Sequence, residues 1–135
     1  LSTADHLEVA RLLVTKAAAD LSAARVLAEA EDQDDGVIGF HAQQSVEKAL
    51  KAVLAVREAE IPRTHDLEYL VEMLGRSRLE VPSALSGIAW LNPWAVTLRY
   101  DEIEEPLDRT VALEVAGVAI TWARAIVGAS AAAEG

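Results

Sequence analysis

Apolar residues fall at helical spacing almost from the start of the chain. Leu7, Ala10, Val14, Ala17, Leu21, Ala24 and Ala28 recur at alternating steps of three and four, which places them on one helix face. The pattern predicts a helix over roughly residues 3–31. Ser2, three residues ahead of Asp5, reads as a capping box with a shorter acid. On the outer side Lys16 and Asp20 stand four apart, the spacing of a surface ion pair. The acidic run "EDQDDG" then stops the helix and supplies carboxylates to the N-terminus of the next.

That second helix is expected from about residue 35 to 57. Ala42, Val46, Ala49, Leu50 and Val53 share one face, while His41, Gln44, Lys48 and Lys51 line another, one turn apart. Pro62 closes the element. Thr64 offers a cap for a third helix carrying Leu67, Leu70, Val71 and Leu74, which Gly75 and "RSRLEVP" end. Pro82, at a first-turn position, opens a short fourth helix to about residue 91, broken by Asn92 and Pro93. Residues 92–107 hold two prolines and no sustained period. A last helix is expected over about residues 108–128, its stripe being Val111, Val115, Val118, Trp122 and Ile126, followed by the frayed tail "ASAAAEG". Short turns between apolar stripes favour antiparallel neighbours. The expectation is one all-α domain over residues 1–135, core about 4–128: an up-and-down bundle of four to five helices.

Composition agrees. Of 135 residues, 52% are apolar and only 4% aromatic, so the core must be aliphatic, and Ala and Leu suit helices better than strands. An apolar fraction this large in so short a chain points to surface buried between subunits, and a homodimer is the commonest arrangement. The absence of cysteine excludes a disulfide scaffold and a thiolate metal site. A formal net charge of −10 repels nucleic acid as a whole, leaving any such contact to a local basic cluster. No uncharged apolar run is long enough to span a bilayer, and the acidic N-terminus is unlike a secretory signal. The expected location is cytoplasmic, with no membrane partner.

Three stretches carry candidate chemistry. "HAQQSVEKALK" sets carboxamides beside lysines and a glutamate. Carboxamides suit base edges and Lys suits phosphate; the same residues also make an ordinary solvated face with Glu–Lys pairs. In "RTHDL", His65 reads equally as a general base or as a side chain covering a helix cap. In "LRYDE", Arg99 and Tyr100 could clamp a phosphate and stack a base, or Arg99 could simply tie the loop down through Asp101. There is no Gly-rich phosphate loop and no His pair at i, i+4, so neither a cofactor nor a metal is expected.

Taken in order, "HAQQSVEKALKAVL", "PRTHDLEYLVEML" and "LRYDE" resemble the HEPN domain family over about residues 4–128. The resemblance implies a helical bundle, often dimeric, commonly paired with a minimal nucleotidyltransferase in a toxin–antitoxin-like arrangement. Several branches are metal-independent ribonucleases marked by Arg, four to six residues, then His. None of the nine Arg here is followed by His at that spacing, so that catalytic role does not transfer. The expectation is therefore a non-nuclease subunit that binds a nucleotide or a nucleotidyltransferase partner. The candidate ligand residues are His41, Gln44, Lys48, Lys51, His65, Arg99 and Tyr100. Two alternatives stand beside it: a ribonuclease with an unconventional site built on His65 and Arg99, and a dimeric interaction module without ligand.

Overall fold

The computed structural model describes residues 1–96 and 105–134. Its helices are α1 (Thr3–Glu29), α2 (Asp35–Val56), α3 (Leu67–Arg76) and α4 (Arg109–Glu134), with short 3₁₀ helices at Ser83–Leu85 and Ile88–Ala95 between α3 and α4. No strand occurs among the described residues. This is the all-α bundle that the hydrophobic spacing predicts.

The capping box at the start of α1 forms as read: Ser2 Oγ accepts from the Asp5 N–H at 3.1 Å, and the Asp5 carboxylate accepts from the Ser2 N–H at 3.0 Å. The Ser2 N–H, and after it the Ser2 hydroxyl donating at 2.9 Å, hold the Asp5 carboxyl below the ordinary carboxylate range. Asp34 caps α2 through the Gly36 N–H. At α3 the cap is Asp66, which accepts from the Glu68 and Tyr69 amides, and not Thr64. Thr64 instead accepts from the Asp66 N–H one step earlier, shaping the turn that delivers the cap.

α2 lies at the centre, packed against α1, α3, α4 and the second 3₁₀ helix. Its predicted face, Ala42, Val46, Ala49, Leu50 and Val53, is fully buried, and Ile38, Ala52, Leu54 and Ala55 are buried too. A helix apolar over so much of its circumference is a core helix. Gly39 is where the second 3₁₀ helix comes closest: a Cβ there would stand 2.6 Å from two ring carbons of Trp94. The indole thus lies on bare backbone.

Three expectations about the second half need correction. The helix expected over Pro82–Leu91 is two 3₁₀ pieces. Asn92 and Pro93 do not break the second, which runs through them to Ala95. The Asn92 side chain anchors this stretch to the start of α3, accepting from the Leu67 N–H and donating to Asp66. The tail is not frayed: α4 continues to Glu134, as its alanines favour. The stripe of α4 is also rotated. Its buried residues are Ala112, Val115, Ala116, Ala119, Ile120, Ala123 and Val127, while Val111 and Val118 are 39% and 36% exposed. Alanine faces the core because it lets helix axes approach, so Val111 and Val118 are turned outward, while Val115 of the expected stripe stays buried.

The start of α4 is latched to the α1–α2 turn. Arg109 donates to the Asp35 carboxylate at 2.8 Å and to the Gln33 carbonyl at 2.6 Å, and Asp35 also accepts from the Leu107 N–H at 3.1 Å. α4 is long and apolar enough to cross a membrane by length and composition, which the charge-free-run criterion did not register; 39% of its most apolar window is buried.

Candidate functional site

The polar residues of α2 meet two carboxylates. Asp20, from α1, accepts from His41 Nδ1 at 2.9 Å and from Lys48 Nζ at 2.5 Å. It makes no ion pair with Lys16: the carboxylate turns inward across the helix–helix seam. Glu47, buried on α2, accepts from Lys51 Nζ at 3.0 Å and from His65 Nδ1 at 2.8 Å. Each carboxylate is therefore held between one lysine and one histidine. Each histidine meets its carboxylate through Nδ1, and among the described residues Nε2 has no hydrogen-bond partner in either ring.

Gln43 completes the second unit. It is fully buried, and its amide donates to Glu47 at 3.2 Å and to the His65 carbonyl at 3.1 Å, while its Oε1 accepts from Gln44 at 2.8 Å. One side chain thereby ties the segment before α3 to the face of α2. Among the described residues no buried side-chain polar atom lacks a partner. A polar network in a low-dielectric setting stabilises only when it is satisfied in this way.

Of the expected site residues, the structure gathers His41, Gln44, Lys48, Lys51 and His65 along one seam between α1, α2 and the loop leading into α3. Arg99 and Tyr100 lie outside the described residues. Sequence reasoning placed Gln43 and Glu47 in the "HAQQSVEKALK" motif but not among the ligand residues, and gave Asp20 only a surface pairing with Lys16. Gln43 and Glu47 stand four apart, one position before Gln44 and Lys48 and so turned toward the apolar face of the helix, a signal that could have drawn them out. Asp20 carried no such signal, since its partners come from a different helix.

The lysines are not idle, but neither is their capacity spent. An ammonium has three donors, and among the described residues Lys48 and Lys51 each use one. Four basic side chains face two carboxylates here, on a chain of net charge −10. No group of His, Asp and Glu suited to holding a metal ion occurs among the described residues.

The fold is that of a small all-α domain built around a central, largely buried helix. The family model described as HEPN domain matches residues 10–131, and the chain belongs to that family. No curated protein and no solved structure matches it.

Proposed function

We propose that this protein is a non-nuclease HEPN subunit that binds a nucleotide, or the nucleotidyltransferase partner that handles one, within a toxin–antitoxin-like pair. The observation that carries this reading is the pair of Lys–carboxylate–His units that the lysines of α2 form with Asp20 of α1 and with Glu47 and His65. Lys48 and Lys51 are part-exposed, their positions are fixed by buried or half-buried acids, and each has donors to spare. Charge-assisted hydrogen bonds from such groups to a phosphate contribute about 1.5–3 kcal/mol each. Gln44 and Nε2 of His41, which has no partner among the described residues, supply the acceptors and donors that a base edge uses. Calorimetric titration with ATP tests it: the wild type binds, and Lys48→Ala and Lys51→Ala each weaken binding at least about tenfold while both variants keep their helical spectrum. Binding that survives both substitutions, or no heat at millimolar ATP, removes the nucleotide reading and leaves the partner one to a co-purification with the nucleotidyltransferase.

A second reading, an unconventional ribonuclease, is favoured by one observation. His65 is 65% exposed while Glu47 holds its Nδ1, the arrangement of an oriented general base. An RNA-cleavage assay separates the two: cleavage that disappears in His65→Ala supports the enzyme.

A further inference from the structure

Two hollows between α1 and α4 run into one another. The larger is an open groove of about 670 Å³, walled by Leu113, Gly117, Val118 and Trp122 of α4, by Pro82 and by Arg25 of α1. The smaller, of about 190 Å³, lies between Leu21 of α1 and Ile120 of α4 and reaches Arg124. Arg25, Gly117 and Thr121 line both and so mark the place where they join. At that junction the Arg25 guanidinium lies 3.6 Å from where a Cβ of Gly117 would stand. The cation is thus laid across the backbone of α4. Among the described residues neither Arg25 nor Arg124 forms an ion pair. This face is separate from the polar seam. Arg25 and Asp20 are five residues apart on α1, about 140° around the helix at 3.6 residues per turn.

We propose that the joined hollows bind a small carboxylic acid with an extended apolar body, its carboxylate between Arg25 and Arg124 and its body against Trp122. Charge argues for the head. A guanidinium fork matches a carboxylate in shape and sign, and here one fork comes from each of two helices onto the same hollow. Thr121 adds a hydroxyl that can donate to the same group. The walls argue for the body. The groove is mostly apolar with a few polar groups gathered at one end, and its volume falls in the range of about 300–1,000 Å³ usual for small-molecule sites. Only 39% of the most apolar window of α4 is buried, so a seated ligand covers apolar surface that the fold leaves open. Glu114 limits the ligand to one negative charge. It lines the far part of the groove, ten residues before Arg124 and so about 15 Å away along α4, where it repels a second anionic group. A net charge of −10 disfavours polyanions further. The charges also set a direction, with the acid at the arginines and the body pointing toward Leu113 and Pro82.

Titration of the full chain with decanoate, followed by calorimetry and tryptophan fluorescence, tests the site. The wild type binds saturably, with an emission change that disappears in Trp122→Phe. Acetate keeps only the head and decanol only the body, and each binds at least about tenfold more weakly than decanoate. Arg25→Ala and Arg124→Ala, both at exposed positions, each weaken decanoate binding at least about tenfold with an unchanged helical spectrum. Arg11→Ala, on α1 but outside both hollows, binds as the wild type does. Gly117→Leu fills the junction and removes binding. The absence of saturable binding at millimolar decanoate overturns the proposal. Decanol that binds as tightly as decanoate, or decanoate binding indifferent to both Arg25→Ala and Arg124→Ala, overturns it as well, since the face is then an unselective apolar surface.

Discussion

Replacing Glu47 by alanine tests whether the seam is held by charge pairing. The carboxylate is 6% exposed and accepts from three groups: Lys51 at 3.0 Å, His65 at 2.8 Å and Gln43 at 3.2 Å. Their fates differ once it is gone. The His65 ring is largely exposed and takes water in place of the acid. Gln43 retains the His65 carbonyl as an acceptor. Lys51, only 14% exposed, keeps an ammonium with neither counter-charge nor full hydration. Removing one partner of a buried pair costs about 3–5 kcal/mol, mostly for the charge left behind, and that is the expected loss for Glu47→Ala. At this chain length it corresponds to a fall in Tm of roughly 10–20 °C. The double variant Glu47→Ala/Lys51→Met removes the stranded charge while keeping its packing volume, and is expected within about 2 kcal/mol of the wild type. Urea unfolding followed by circular dichroism gives all three values. A loss below about 1 kcal/mol in Glu47→Ala, or no recovery in the double variant, refutes the pairing argument.

Gly39→Ala gains about 1 kcal/mol of helix propensity but sets a methyl group 2.6 Å from the Trp94 ring; with overpacking at about 1–3 kcal/mol, a net destabilisation is expected by urea titration, whereas Gly128→Ala, with open space around it, is expected to stabilise. Asn92→Ala leaves the Leu67 N–H without its acceptor and is expected to cost about 1–3 kcal/mol, read from the same unfolding curves. Asp5 has a folded-state pKa below its ordinary 3.8, so its contribution to stability is complete above that value and disappears as pH falls through the lower, folded one. In Ser2→Ala the backbone N–H remains and the hydroxyl is lost, so NMR titration of the Asp5 carboxyl carbon is expected to show the pKa raised only part of the way toward the ordinary value.

The elements that rest on local spacing were readable from the chain. The α1 stripe, the buried face of α2 and the Ser2 cap follow from three- and four-residue steps and from one side chain reaching its own helix. The face of α4 was not, because hydrophobicity ranks Val and Trp above Ala, whereas close-packed helices place Ala112, Ala116, Ala119 and Ala123 inward. The candidate site divides in the same way. Gln44, Lys48 and Lys51 could be placed on one face by counting, but the acids that fix them could not. Lys16 satisfied the local i, i+4 rule for Asp20, and only the packing of α1 on α2 shows that Lys48 and His41 take the carboxylate instead.

The junction of α3 with α2 has a consequence for exchange with solvent. α3 is ten residues long and meets α2 through Leu67, Leu70 and Leu74, so its amides are expected to exchange by a partial opening, well before those of α2, which require global unfolding. Any opening that lifts the start of α3 away from α2 must break the Gln43–His65 and Glu47–His65 bonds in the same step. Deuterium uptake at Leu67–Arg76 therefore reports on the state of the seam. A molecule bound across Lys51 and His65 slows that uptake even though it touches none of the α3 amides, giving a label-free readout of occupancy.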